Sequence, residues 1–310
     1  MATAELAIVG GGTAGLAAAL YAARARIETV LIERMGLGGQ LVVIDRVENF
    51  PGFPESISGP DLAARLARQA LDAGVQVIYA EATALQSGLD GVQHALVTDA
   101  ETVQARAVIL ACGSSPARLG IPGEEEFIGR GVSSCATCDG DFCRGQPVVV
   151  IGGGDSAVDE ARYLAGLAAS VTLVHRRDAL RAERIGQERL FALPNVRVLW
   201  NATAEAILGD ETVQAVRVRV AGEDAPRELP AAGVFVYVGL RPNTAWLRGA
   251  VAMDAGGHVL ANERLETSVP GIFVAGDLRQ HAARQLVASA GDGATAAIWA
   301  ERYLRGPLSR

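Results

Sequence analysis

Glu5-Leu6-Ala7-Ile8-Val9-Gly10-Gly11-Gly12-Thr13-Ala14-Gly15 passes from a short apolar strand straight into a glycine-rich turn. An Ala- and Leu-rich helix is expected from there to about Arg24, and a second strand over Thr29 to Ile32 ends at Glu33. Strand, glycine turn, helix, strand and terminal acid form the βαβ dinucleotide fingerprint in its proper setting. Gly10 allows the tight turn, Gly12 lets backbone approach a pyrophosphate, and Gly15 lets helix pack on strand. Thr13 and Ala14 carry the loop into the helix N-terminus where phosphates sit, and Glu33 is placed to bond a ribose hydroxyl.

The device recurs. Pro147 to Ile151 reads as a strand, Gly152-Gly153-Gly154-Asp155-Ser156-Ala157 opens a helix to about Gly166, and Ser170 to Val174 is the next strand. In both units 23 residues separate the first glycine from the residue closing the second strand, Gly10 from Glu33 and Gly152 from His175. The closing residues differ. An acid suits a free 2′-hydroxyl, whereas His175-Arg176-Arg177, with Arg181 about a turn further on, suits a 2′-phosphate through charge-assisted bonds. The first site therefore reads as FAD or NAD, and the second, at Gly152, Gly154, Asp155, Ser156, His175, Arg176, Arg177 and Arg181, as NADP(H). The fold class is α/β, with two Rossmann-like, three-layer dinucleotide-binding domains.

Between the two turns lies Cys135-Ala136-Thr137-Cys138-Asp139. Two cysteines at this spacing can close a small, easily opened disulfide ring. A leaving thiolate must be protonated, and Asp139 stands directly beside it. A zinc site from Cys135, Cys138 and Cys143 would lack a fourth ligand, so no metal is expected. Four cysteines in 310 residues do not make a secreted disulfide framework. The net charge of −7 argues against a nucleic-acid partner. All 28 basic residues are Arg, so Schiff-base chemistry and a Walker phosphate loop, which need lysine, are excluded. Leu6 to Ala23 carries no charge, but its four glycines and the lack of a basic leader speak against a membrane span, and the sequence reads as a soluble cytoplasmic protein.

The remaining segments are organised around these sites. Gly38-Gly39-Gln40-Leu41 and Val47-Glu48-Asn49-Phe50-Pro51-Gly52 are loops able to line a flavin ring or simply to turn the chain. Asp61 to Asp72 has helical periodicity with Leu62, Leu66 and Leu71 on one side, and Val75 to Val108 reads as short strands broken at Gly88, Asp90-Gly91 and Asp99. A buried strand over Ala107 to Ala111 ends at Cys112-Gly113. Ser114-Ser115-Pro116 and Pro122-Gly123 mark a domain crossing, and Gly239 to Asn243 a return. Gly257 to Leu260 and Gly271 to Ala275 read as strands, the latter ending at Gly276-Asp277, whose acid can accept a ribityl hydroxyl. Arg284 to Leu304 reads as a long helix, broken near Gly291 and Gly293, whose N-terminus could aim its dipole at a flavin.

Over essentially its whole length the chain resembles the low-molecular-weight thioredoxin reductases. The likeness rests on Gly10 to Gly15, Gly39-Gln40-Leu41, Glu48 to Gly52, Cys135 to Gly140, Gly152 to Ala157, His175-Arg176-Arg177, Gly276-Asp277 and Arg284-Gln285. It implies a homodimer with FAD in a discontinuous domain, residues 1–115 and 245–310, and NADPH in an inserted domain, residues 116–244, that carries the redox cysteines. Gly39, Gln40, Leu41, Asn49, Gly113, Gly276, Asp277, Arg284 and Gln285 would then join the first turn at FAD. The implied activity is NADPH-dependent reduction of a thioredoxin disulfide through FAD and Cys135–Cys138, with Cys138 meeting the flavin, Cys135 attacking the substrate and Asp139 moving the proton. Thr13 stands where the family often has proline, and Cys112 lies in a segment usually read Ala-Thr-Gly. A dithiol oxidase, the flavoprotein partner of a peroxiredoxin, a ferredoxin–NADP reductase and a flavin-binding sensor are the rivals. The first needs no nicotinamide site, the second carries an extra N-terminal redox domain for which there is no room before Glu5, and the third lacks the cysteine pair.

Overall fold

The charge-free run after Glu5 becomes the centre of a sheet. Strand β1 (Ala2–Val9) and helix α1 (Thr13–Arg24) bury Leu6 to Val9 and Thr13 to Ala19, which is why the run carries no charge. The structure is a computed structural model describing residues 2–88 and 93–306. Next come β2 (Thr29–Glu33), α2 (Gly59–Asp72), β3 (Gln76–Tyr79), β4 (Ala82–Ser87), β5 (His94–Thr98), β6 (Thr102–Leu110) and β7 (Ser114–Pro116). The order is β3-β2-β1-β6-β5-β4, parallel as far as β6 and antiparallel beyond it. Leu6 and Ile8 face the core shared with α1, while Ala7 and Val9 face the opposite core with Leu85, Leu96 and Leu247, the alternation a strand imposes. The break expected at Asp90-Gly91 lies outside the described residues. In α2, Leu62 is buried but Leu71 is exposed. Nine residues of helix amount to two and a half turns, so Leu71 falls opposite Leu62 rather than beside it.

The second unit begins with β8 (Val132–Ser133) and the single turn α3 (Ala136–Asp139). It continues through β9 (Pro147–Gly152), α4 (Asp155–Ala165), β10 (Ser170–Val174), α5 (Arg184–Phe191), β11 (Val196–Leu199), β12 (Ala202–Gly209), β13 (Val213–Val220), β14 (Arg227–Pro230) and β15 (Gly233–Tyr237). A parallel sheet, β11-β10-β9-β15-β8, carries α4 and α5 on one face and the antiparallel meander β12-β13-β14 over the other.

The chain then returns through β16 (Leu240–Pro242), which pairs with β7, to β17 (Ile272–Val274) and α6 (Leu286–Arg305). Contacts divide it into two compact units, Met1–Ser115 with Arg241–Arg310, and Pro116–Leu240. Strand β17 pairs with the C-terminal half of β6, and β5 with its N-terminal half. Each unit is layered as helices, parallel sheet and antiparallel strands, so the third layer is β rather than helical. Two further expectations fail. Gly257 to Leu260 is a loop with isolated bridges at Val259 rather than a strand. Helix α6 runs unbroken through Gly291 and Gly293. A Cβ on Gly293 would stand 2.1 Å from the Ala14 carbonyl oxygen, so this glycine marks the point where α6 touches the backbone of α1, and that contact outweighs its weak helix propensity.

Candidate active site

The first glycine turn is dictated by contact. Gly10 has φ +108°, and a Cβ there would lie 2.4 Å from the Ala111 oxygen; a Cβ on Gly15 would lie 1.7 Å from the Gly10 oxygen. Gly12 is different, because a Cβ there would meet only the Gly39 Cα, at 3.9 Å. The space in front of Gly12 is therefore open, and α1 starts there without a side-chain cap, leaving N–H groups for an anion. Glu33 accepts from the Gly11 N–H (2.7 Å) and the Met35 N–H (2.9 Å), one bond to each carboxylate oxygen, and each oxygen retains a second acceptor position for a hydroxyl.

Other residues converge on the start of α1. A Cβ on Gly276 would stand 3.0 Å from the Ala14 Cβ, which sets Asp277 beside the turn that also carries Thr13. Ser289 donates to Asp277 (3.3 Å), and burial raises the Asp277 pKa above the usual carboxylate value. Gly39 abuts Gly12, Gln40 donates to the Ser114 carbonyl (2.7 Å), and Leu41 is fully buried as core. Gly113, at φ +60°, faces open space. Asn49 donates to Gln285 (3.1 Å) at the start of α6, where Arg284 is held at φ +56°. A diphosphate, a ribose and a polyol chain would each find suitable donors or acceptors here.

In the second unit Gly152 packs over Ala157, and Gly154 opens onto free space at the start of α4, a cradle for a second diphosphate. The segment after β10 folds back over this loop. Arg181 N–H donates to the Gly153 carbonyl (2.7 Å), and Asp155 accepts from the Glu183 N–H (2.7 Å). Ser156 is exposed in the first turn of α4. Arg176, Arg177 and Arg181 are exposed and form no salt bridge among the described residues. His175 behaves otherwise. It is buried, with its ring nitrogens against the carbonyls of Gly152 (2.8 Å) and Ala179 (3.0 Å). It therefore ties the loop to the arginine segment and leaves no ring nitrogen for a phosphate.

Cys135 and Cys138 are joined by a disulfide, their Cα atoms 5.3 Å apart. Cys135 N–H donates to Ser133 Oγ (3.0 Å), and Cys138 N–H donates to Cys135 Sγ (3.2 Å). Cys138 is exposed, Cys135 is half-buried, and Asp139 closes the turn. Phe142, three residues beyond Asp139, is 86 % exposed. Among the described residues no group of His, Cys, Asp and Glu could hold a metal ion, and no helix is long and apolar enough to cross a membrane.

Residues 4–294 match the pyridine nucleotide-disulphide oxidoreductase family. The chain is 44 % identical to a thioredoxin reductase of Treponema pallidum over 300 residues, 97 % of each chain. The family is settled by that likeness. This chain is a member of the thioredoxin reductase family of pyridine nucleotide-disulphide oxidoreductases. The crystal structure of the Lactococcus lactis thioredoxin reductase, a member 38 % identical, matches with a TM-score of 0.95 over 97 % of this chain and 99 % of that one. In another member, the bifunctional thioredoxin reductase/thioredoxin of Mycobacterium leprae, 66 % of the protein aligns with 97 % of this chain at 44 % identity.

Family motifs did not lead to every residue around these sites. Asp292 of α6 takes Arg279 in a two-pronged pair (2.6 and 3.1 Å) and accepts from the Gly276 N–H (3.1 Å), fixing the turn before Asp277. Glu160 and Tyr237 meet under the disulfide. None of these lies in a motif. The only sequence signal was an acid inside an Ala-rich helix for the first, and a polar ring closing an apolar strand for Tyr237.

Proposed function

We propose that this chain is an NADPH-dependent thioredoxin reductase, a flavoprotein that reduces the disulfide of a thioredoxin or thioredoxin-like protein. The observation that carries this reading is a Cys135–Cys138 disulfide in the same unit as a glycine loop flanked by three exposed arginines that form no salt bridge among the described residues. Arg176, Arg177 and Arg181 bind the 2′-phosphate, and Gly152, Gly154, Asp155 and Ser156 the diphosphate. FAD lies in the first unit, held by Gly10, Gly12, Thr13, Ala14, Gly15, Glu33, Gly39, Gln40, Asn49, Gly113, Gly276, Asp277, Arg284 and Gln285, with Leu41 packing behind. The open face of Gly12 and the free acceptor positions of Glu33 fit its diphosphate and ribose. When bound, FAD supplies the two-electron relay between nicotinamide and disulfide. The enzyme works as a cytoplasmic homodimer, as its resemblance to the family implies.

The chain's own chemistry is thiol–disulfide exchange. The Cys135 thiolate, stabilised by the Cys138 N–H, attacks one sulfur of the substrate disulfide and forms a mixed disulfide. The leaving substrate thiolate takes a proton, which Asp139 supplies. Cys138 then attacks Cys135, re-forming their disulfide and releasing the second substrate thiol, so one dithiol and one disulfide exchange places. Cys138 is the cysteine that meets the flavin.

The test is anaerobic spectrophotometry of the yellow protein. NADPH should bleach the flavin band, and oxidised thioredoxin should then sustain NADPH consumption. Bleaching by a dithiol but not by NADPH would turn the reading to a dithiol oxidase.

A further inference from the structure

One donor of the redox turn is committed away from the sulfurs. The Ala136 N–H points to both Glu160 Oε2 and Tyr237 Oη, 3.1 Å from each. Glu160 comes from α4 and Tyr237 from the last position of β15, so two rigid elements grip the residue following Cys135. The turn is also seated on the end of α4, because a Cβ on Gly140 would lie 3.2 Å from Leu164 in the helix and 3.1 Å from Leu167 just beyond it. Burial, and then the charge of Glu160, hold the Tyr237 hydroxyl above the ordinary tyrosine value. It therefore stays protonated and gives its hydrogen to the Glu160 carboxylate. Asp139 also bears on this cluster, acting on both Tyr237 and Cys143.

Resting on the reading of Cys135–Cys138 as the redox couple, we propose that Glu160 and Tyr237 are positioning residues that set its poise. Glu160 biases the couple toward the disulfide, and Tyr237 moderates that bias. The disulfide is neutral, whereas the open form carries a thiolate on Cys135, toward which the Cys138 N–H already points. A carboxylate held one residue away by the Ala136 N–H disfavours that thiolate and makes the dithiol the stronger reductant. The Tyr237 hydrogen bond disperses part of the carboxylate charge.

The test equilibrates the intact flavoprotein anaerobically with mixtures of reduced and oxidised dithiothreitol. The state of Cys135 and Cys138 is read by alkylation and mass spectrometry. Glu160→Gln should shift the equilibrium toward the dithiol by about tenfold, and Tyr237→Phe toward the disulfide by about threefold. The double variant should follow Glu160→Gln. Opposite signs are the signature, since general loosening of the turn would move both variants the same way. Variants within twofold of wild type, or shifted in one direction, overturn the proposal while leaving the function intact if the wild-type pair opens. A wild-type pair that never opens, while NADPH still drives thioredoxin reduction, overturns both. Should Glu160→Gln fail to fold, Tyr237→Phe alone decides the matter, a shift toward the disulfide supporting the proposal and any other result overturning it.

Discussion

The main-chain N–H of Cys138 donates to the sulfur of Cys135 across 3.2 Å, inside the ring their disulfide closes. When the ring opens, that donor favours a thiolate on Cys135. Either Cys→Ser variant should keep NADPH bleaching of the flavin and lose thioredoxin turnover by about a thousandfold or more. Cys138→Ser, which keeps the attacking thiol but not the resolving one, should trap thioredoxin as a mixed disulfide on a non-reducing gel. Trapping by Cys135→Ser instead would exchange the two roles.

Arg176 and Arg177 project from the segment that His175 fastens to the Gly152 loop. Replacing both with Ala should raise KM for NADPH by about tenfold or more while moving that for NADH by no more than about twofold. Steady-state kinetics with both nucleotides decides this, and equal effects would remove the 2′-phosphate role.

Phe142 leaves 86 % of its surface in solvent beside the redox turn, an anchor suited to a protein substrate. Phe142→Ala should raise KM for thioredoxin by about fivefold or more, with turnover of a small aromatic disulfide kept within about twofold. A parallel loss on both substrates would mean that the ring serves the turn itself.

His94 is fully buried in β5, and its ring nitrogens have no hydrogen-bond partner among the described residues. Burial lowers its pKa below 6.5, with the Pro270 carbonyl offsetting part of the effect. The unfolded chain therefore takes up this proton first as pH falls. The stability that neutral His94 contributes is fully present above 6.5 and drains away as pH drops toward the lower folded value. Thermal melts from pH 7.5 to 5.5 should show a steeper fall for wild type than for His94→Leu, and parallel curves would discount His94.

The two dinucleotide turns were legible because their chemistry is local. The close contacts of Gly15 with the Gly10 carbonyl, and of Gly152 with Ala157, are set within a few residues of sequence. His175 shows the opposite case. Its type and position suggested a phosphate ligand, but the carbonyls of Gly152 and Ala179 that claim its nitrogens are visible only once the chain has folded back. The same holds for α6, where two glycines look like a break until Gly293 is seen against the Ala14 backbone, and for Glu160, which reaches Ala136 from 24 residues away.

The two passages of the chain between its units run side by side as β7 and β16, and the Ala117 N–H bonds the Gly239 carbonyl at 2.8 Å. The inserted unit thus begins and ends at neighbouring points of backbone, like a parenthesis opened and closed on the same line. A module with adjoining ends can be gained, lost or exchanged by recombination without re-threading its host sheet. On that account, a single ancestral nucleotide-binding unit copied into itself would leave the pattern seen here: two equal spacings of 23 residues, one ending in an acid and the other in His175 and a pair of arginines.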